Sequence, residues 1–568
     1  MNKQLQLLII LFFLPMSGSV LFAQSFLFAN RVGGAQFENA MGIAVDHSSN
    51  IVISGYFAGT ADFDPDTASA VNISSNGSND VFVAKYDSTG SFLWAIAIGG
   101  PNDELMYSDP VVDLFNNVYV CGVFNDGCDF NPAAQNFQLN NYGSNDGFIA
   151  KYDSMGNFIW AKGFGGMLED DVYRIDVDNN GEVLFIGSFK DTVDLNPGTA
   201  VLSFTSAGGA DVFYGKLDAT GSLVFVNAMR GKGDDRAYNI THDLNNEIVL
   251  TAGFNDTIVV NPNGTSLTLT DPSGASSLVA KFSSLGSLQW AFRISKCLPF
   301  GLSTDHNNDI LTSGQFNGSA DFDPGTNVQT LSAQAGSFDA YMAKYTQQGN
   351  FVFASRFGGN QLDCAYAIHE TADSTIILSG FFNLTADFDP SLTIASLTSA
   401  GSGDVFVGTY SQNGAYLNAF RCGNAGFDFV RNFITDQNGN FYIAGGFDQT
   451  VDFNPASPIF NLTSAGSRDG FFAKYGGTLT GLKEVKSLPY NFIVYPSPVG
   501  NMLHILFSVK GLTESARITV LNLEGQKLSS CIINSSNATV DVSQLNSGVY
   551  ILTLQDRERI YTQKFVKQ

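Results

Sequence analysis

The chain predicts an all-β fold built by repetition, with seven four-stranded sheets closed into a ring and a small second β-domain behind them. Three observations carry this. A tetrapeptide of the form Asp-Phe-Asp-Pro returns every 62 to 67 residues. Charged residues are only 14% of the 568, while Gly (58) and Phe (49) abound, a composition of short strands and tight turns rather than of amphipathic helices. The third is an offset at the two ends: the exported chain opens on what reads as the fourth strand of a repeat, and the last repeat stops after its third.

The first element is an export signal. Lys3 precedes an apolar run from Leu5 to Leu14, then Pro15 and small residues lead to Ala23. This layout predicts a secretory signal peptide over 1–23, cleaved between Ala23 and Gln24. The run is short for a membrane span. No later stretch reads as one, so the mature protein is expected to have no transmembrane span.

The repeat array follows, over 24–476. Asp62-Phe63-Asp64-Pro65 returns as Asp129-Phe130-Asn131-Pro132, Asp194-Leu195-Asn196-Pro197, Asp321-Phe322-Asp323-Pro324, Asp387-Phe388-Asp389-Pro390 and Asp452-Phe453-Asn454-Pro455. A degraded fourth copy stands at Val259-Val260-Asn261-Pro262. A phenylalanine recurs upstream in all seven: Phe57, Phe124, Phe189, Phe254, Phe316, Phe382 and Phe447. Each unit reads as four strands, in the first copy Gly42 to Asp46, Ile51 to Phe57, Val81 to Tyr86 and Phe92 to Ile98. Strand three repeats an Ala-Lys-Tyr theme (Ala84 to Tyr86, Ala343 to Tyr345). Strand four repeats an aromatic (Trp94, Trp160, Trp290, Phe353).

One such unit buries too little surface to stand alone. Radial stacking gives a β-propeller, in which these aromatics fill the contacts between blades. Phe26 to Gly34 matches strand four, and the last unit ends at Tyr475 without one. The opening strand is therefore expected to complete the final blade and hide an edge. The units resemble the seven-bladed β-propeller repeats of bacterial surface and secreted proteins, through the Gly-x-Phe of strand two, the intact Asp-Phe-Asp-Pro-Gly-Thr turn at 321–326 and the Ala-Lys-Tyr strand. That resemblance implies a fold and no activity.

After a linker over 477–487, residues 488–568 break the repeat. The alternating strands predict a small Ig-like β-sandwich. Its marks are Tyr495-Pro496-Ser497-Pro498, a turn at Gly525, Gly548-Val549-Tyr550, and terminal Lys564 and Lys567. The segment resembles the C-terminal sorting domain (type A) read by the type IX secretion system of certain Gram-negative bacteria, with Ser497 where that family usually has Asn. The resemblance implies the secretion machinery as a partner and an extracellular or outer-surface location.

Chemistry is sparse. His47, His242, His306, His369 and His504 are scattered, and no hydrolase, metalloprotease or phosphate-loop motif occurs. Six cysteines lack a C-x-x-C, although Cys121 and Cys128 could bridge one hairpin. A net charge of −24 disfavours nucleic acid. The pairs Asp62/Asp64, Asp321/Asp323 and Asp387/Asp389 place two oxygens two residues apart, as calcium loops do. The competing and preferred reading is an Asx turn in which Pro fixes the backbone. No cofactor beyond that calcium is expected. The sequence thus predicts a non-catalytic surface or extracellular binding or adhesion module, recognising an unknown protein or polysaccharide. A glycan lyase or hydrolase acting at the channel, or a structural surface-layer component, are the alternatives. Arg230 to Arg236 is the most unusual local charge cluster and reads as a solvated loop.

Overall fold

The computed structural model describes residues 25–476, apart from 133, 134, 261–265, 335, 437, 455 and 457. In a second unit it describes 492–495, 499–507, 516–522, 527–533, 537–556 and 559–568. The predicted cleavage site Ala23–Gln24, the linker, and Pro496, Pro498 and Gly525 lie outside the described residues. Everything regular among the described residues is β-strand; no helix occurs there.

Residues 25–476 form seven antiparallel four-stranded meanders. Sheet 1 runs Glu38–Val45, Ile51–Phe57, Asp80–Tyr86 and Phe92–Ile98. Its first strand starts four residues earlier than the sequence suggested. Sheets 2 to 6 repeat this order, with first strands beginning at Val111, Asp170, Arg236, Cys297 and Cys364. Sheet 7 takes three strands from the last repeat, Phe429–Thr435, Phe441–Phe447 and Asp469–Gly476, and its fourth from the opening segment Ser25–Gly34. The register pairs Phe26 with Tyr475, Ala29 with Ala473 and Val32 with Gly470.

Tight turns explain why the strands are short. Between strands one and two the Asp46 carboxylate accepts the N–H of Ser48 and of Asn50, both at 2.8 Å. Ser49 sits at a φ of 64°, a left-handed conformation that favours Asn, Ser or Gly. Asp113, Asp178, Asp243, Asp305 and Asp436 repeat the device. The same aspartate meets the strand-three lysine: Lys85 Nζ lies 2.8 Å from Asp46, and Lys281 2.8 Å from Asp243, both pairs buried. Losing one partner of such a pair would leave a buried charge at a cost of about 3–5 kcal/mol.

Each Asp-Phe-Asp-Pro segment is a strap between sheets. Its hairpin pairs with the fourth strand of the preceding sheet, Gly33 with Asp62, Gly165 with Asp194 and Gly358 with Asp387. The central Phe63, Phe130, Phe322, Phe388 and Phe453 are fully buried. Their carbonyls accept the hydroxyls of Tyr86, Tyr152, Tyr345, Tyr410 and Tyr475 at 2.8–3.1 Å. A Phe so buried contributes roughly 2–3 kcal/mol, which is why the motif recurs.

Apolar cores lie between neighbouring sheets rather than within them. Val52, Val81 and Val83 of sheet 1 meet Val118, Phe124 and Phe148 of sheet 2. Ile377 and Val405 of sheet 6 meet Phe441 and Phe471 of sheet 7. Tyr442, Ala444 and Phe472 of sheet 7 in turn pack on Ile43, Ile51 and Phe82 of sheet 1. Trp94 covers the turn of the next repeat, donating from its indole to the Ser154 carbonyl at 3.1 Å. Cys121 and Cys128 are separate buried free thiols, so the hairpin bridge does not form.

The second unit has two sheets. Phe492–Tyr495, Met502–Phe507 and Asn537–Asp541 form one. Lys527–Ile533, Ala516–Leu521, Gly548–Asp556 and Arg559–Lys567 form the other. Leu503, Ile505 and Val540 from the first share a core with Ile518, Val520, Leu552 and Phe565 from the second.

Candidate functional site: an aromatic cavity between the first strands

The first strand of every sheet but sheet 2 carries a β-bulge, and a bulge turns its extra residue out of the ladder. The register skips Met41 in sheet 1, Tyr173 in sheet 3, Tyr238 in sheet 4, Phe300 in sheet 5, Tyr366 in sheet 6 and Arg431 in sheet 7. Tyr107 of sheet 2 stacks on Tyr173, with ring centroids 5.7 Å apart and planes 18° apart. Tyr238 meets Phe300, and Phe300 meets Tyr366, each edge to face at 5.3 Å. An aromatic wall results. The Arg431 guanidinium closes it, 4.5 Å over the Tyr366 ring and donating to the Tyr173 hydroxyl at 3.2 Å.

This wall separates two cavities. The larger, about 560 Å³, is lined by Tyr107, Tyr173, Tyr238, Phe300, Arg431 and polar groups that include Asn145, Asp171, Ser188 and Arg236. The smaller, about 380 Å³, is bounded by first-strand residues of all seven sheets. It holds the Arg174–Asp109 ion pair and His242, whose Nδ1 lies 2.8 Å from Asp176. Burial opposes the charged form of His242, but Asp176 outweighs it and raises the imidazole pKa. His369 is half-buried on the same cavity, and burial lowers its pKa. Burial lifts Asp171, at the edge of the larger cavity, to about 6. Its carboxylate accepts the Ser188 N–H at 2.8 Å.

A second polar feature sits at the junctions between sheets. In every sheet but sheet 5, a buried acid three residues before Met41, Tyr107, Tyr173, Tyr238, Tyr366 or Arg431 faces an acid in strand three of the preceding sheet. The pairs are Glu38 with Asp469, Glu104 with Asp80, Asp170 with Asp146, Asp235 with Asp211, Asp363 with Asp339, and Asp428 with Asp404. Burial first, and then the neighbouring carboxylate, raises Asp235 to about 8 and the first member of each other pair to about 7. At the junction of sheets 4 and 5, Cys297 holds the corresponding register position opposite Phe316.

The calcium candidates lie on the straps, away from both cavities. Asp62, Asp321 and Asp387 each accept two backbone N–H groups, as Asp321 does from Asp323 (3.1 Å) and Gln329 (2.8 Å). Asp64, Asp323 and Asp389 cap the following turn. These hydrogen bonds have the pattern of Asx turns. Among the described residues no three His, Cys, Asp or Glu side chains gather as a metal-binding group. The 230–236 cluster divides: Asp235 is buried at a junction, and Arg236 lines the larger cavity. Sequence reasoning missed the wall. Its signal was an aromatic three residues after a recurring acid: Glu104 and Tyr107, Asp170 and Tyr173, Asp235 and Tyr238, Asp363 and Tyr366.

In the C-terminal unit Tyr550 donates to the Asn546 carbonyl at 2.8 Å and stacks on Phe565. Gly548 pairs with Lys567, and Ile551 with the exposed Lys564. Tyr495 pairs with His504.

Residues 493–568 match the family described as "Secretion system C-terminal sorting domain", so this unit is a type IX sorting domain. The chain is 22% identical over 531 residues to an uncharacterized WD repeat-containing protein, L264, of Acanthamoeba polyphaga mimivirus. The alignment covers 79% of this chain and 38% of that protein, so the chain spans well under half of its relative's length. A solved structure of PorZ, described as an essential bacterial surface component of the type IX secretion system of Porphyromonas gingivalis, is 10% identical. That match covers 95% of this chain and 100% of PorZ, with a TM-score of 0.18.

Proposed function

We propose that the protein is an exported, non-catalytic binding module of the outer cell surface or extracellular space of a Gram-negative bacterium. In this reading residues 25–476 are a closed seven-bladed β-propeller, and the C-terminal domain is the address that the secretion machinery reads. Closure is supported by the pairing of Ser25–Gly34 with Asp469–Gly476 and by the core that sheet 7 shares with sheet 1. The ligand, an extracellular polysaccharide or protein, enters the larger cavity at the propeller mouth.

The aromatic wall is the observation that carries the reading. Four aromatic side chains in the larger cavity, Tyr107, Tyr173, Tyr238 and Phe300, each set by its own sheet and left partly exposed, form a preorganised apolar surface with polar groups around it, the usual make-up of a ligand site. Binding rather than catalysis is favoured because the acids at the rim are occupied structurally. Asp170 accepts the N–H of Gly166 (2.6 Å) and of Lys190 (3.1 Å), and Asp171 that of Ser188.

The test is a screen of the purified mature chain against glycans and cell-surface extracts, beside a Tyr173→Ala/Tyr238→Ala variant. Retention by the wild type and loss in the variant are expected. Cleavage of any bound glycan by the wild type would replace this reading with an enzyme.

A further inference from the structure

We infer that the larger cavity recognises a carboxylate carried on a sugar ring, as at the end or branch of an acidic, uronate-type polysaccharide; this rests on the binding-module reading above. The inference starts from Arg431. The bulge position holds an aromatic in sheets 3 to 6 and a guanidinium in sheet 7. Among the described residues no carboxylate lies within ion-pair distance of Arg431, whereas Arg31, Arg174, Arg293, Arg356, Arg421 and Arg468 each have one. Asp109, a carboxylate whose charge acts on it, is already paired with Arg174. Arg431 spends its hydrogen bonds on the phenols of Tyr173 and Tyr366. A guanidinium has five donors in a planar fork matched to a carboxylate, so donors remain for a ligand at the cavity floor.

The wall above Arg431 defines the body of that ligand. Tyr107 and Tyr173 stack nearly parallel, and Tyr238 and Phe300 continue the aromatic lining beside them. The C–H face of a pyranose packs against such a π surface while its hydroxyls point sideways. Hydrogen-bonding groups stand at the margins: Asn145, Ser188, Asp171 and Arg236. These groups make the margins of the cavity polar around an apolar wall, which suits a ligand with hydroxyls at its edges. Of the other charges at the rim, Lys190 and Glu169 pair with each other at 3.1 Å, the Asp170 carboxyl is held by backbone N–H groups, and the Arg236 charge acts on the Asp171 carboxylate. Arg431 is therefore the unmatched charge at the floor. In a chain of net charge −24 a positive floor is a local feature, suited to one carboxylate of the ligand.

The test is calorimetric titration of the mature chain with trigalacturonate, its methyl ester, and a blocked tripeptide bearing a free C-terminal carboxylate. Trigalacturonate is expected to bind at least about tenfold more tightly than the ester, the worth of a hydrogen bond to a charged group. Arg431→Gln should erase that preference, and Arg431→Lys should keep most of it. Equal binding of acid and ester overturns the inference and leaves the binding module standing. Equal binding of the peptide and trigalacturonate overturns the sugar part. No binding by any probe, with binding of other glycans retained, overturns the inference alone, and cleavage of trigalacturonate overturns the binding module itself. Should Arg431→Gln unfold, as melting and near-ultraviolet circular dichroism would reveal, the wild-type comparison of acid with ester decides.

Discussion

Replacing Asp235 by asparagine should make the fold's stability less dependent on pH. Asp235 is fully buried, one of its oxygens has no hydrogen-bond partner among the described residues, and Asp211 and Asp234 act on it as like charges. Burial and these neighbours raise its pKa from 3.8 to about 8. The folded state therefore holds a proton that the unfolded chain releases near pH 4. A raised carboxyl pKa contributes stability in full below the unfolded value, and that contribution drains away as pH rises to the folded value. Each unit is worth about 1.4 kcal/mol. Between pH 5 and pH 8 the wild type should thus lose at most about 4 kcal/mol through this residue, and relaxation with water entry reduces the loss to roughly 2. Asparagine cannot titrate. In urea unfolding at pH 5 and pH 8.5, the variant's stability relative to wild type should improve by roughly 2–4 kcal/mol at the higher pH. A difference that stays constant across that range, or shifts the other way, would refute the paired-carboxyl account of the junctions.

Three further outcomes follow from the same structure. Asp321→Ala strips two exposed backbone N–H groups of their acceptor and should cost about 0.5–1.5 kcal/mol; Asp321→Asn, which keeps one oxygen, should cost less than half of that, and added calcium should leave the wild-type melting temperature unmoved. Removal of residues 25–34 uncovers the edge of Asp469–Gly476 and the faces that Phe26, Phe28, Ala29 and Val32 cover, roughly 5 kcal/mol of burial, so the truncated chain should melt far lower and self-associate on size-exclusion chromatography. Deleting residues 488–568 should abolish display at the cell surface and release to the medium while the chain still accumulates inside the cell; undiminished surface display would remove the sorting role from that domain.

The legible parts of the fold were those in which one residue does one job in every repeat. The strap phenylalanine is legible because each copy fills the same buried site, and the aspartates around it because each caps the same turn. Val259 and Val260 in the fourth copy show the limit: Val260 is buried where other repeats bury the strap aromatic, while Val259 stands where they carry the first aspartate. The cavity wall stayed hidden for a geometric reason. A bulge breaks the two-residue alternation by which strand faces are read, so Tyr173 and Tyr238 count as interruptions of a pattern rather than as a row of their own. Arg431 is invisible to repeat analysis because it departs from the repeat. The acid pairs were equally obscured, since Glu104 and Asp80 are 24 residues apart and meet only across a sheet junction.

Ring closure, on which the cavity depends, is tested most directly by cross-linking the two ends of the repeat array. Ala29 and Ala473 are register partners and both are buried. In an Ala29→Cys/Ala473→Cys variant, a disulfide or a short bis-maleimide bridge should join these two positions within one chain, read by mass spectrometry of the linked peptides. Failure of that link to form, or its appearance only between chains, would contradict the closed ring.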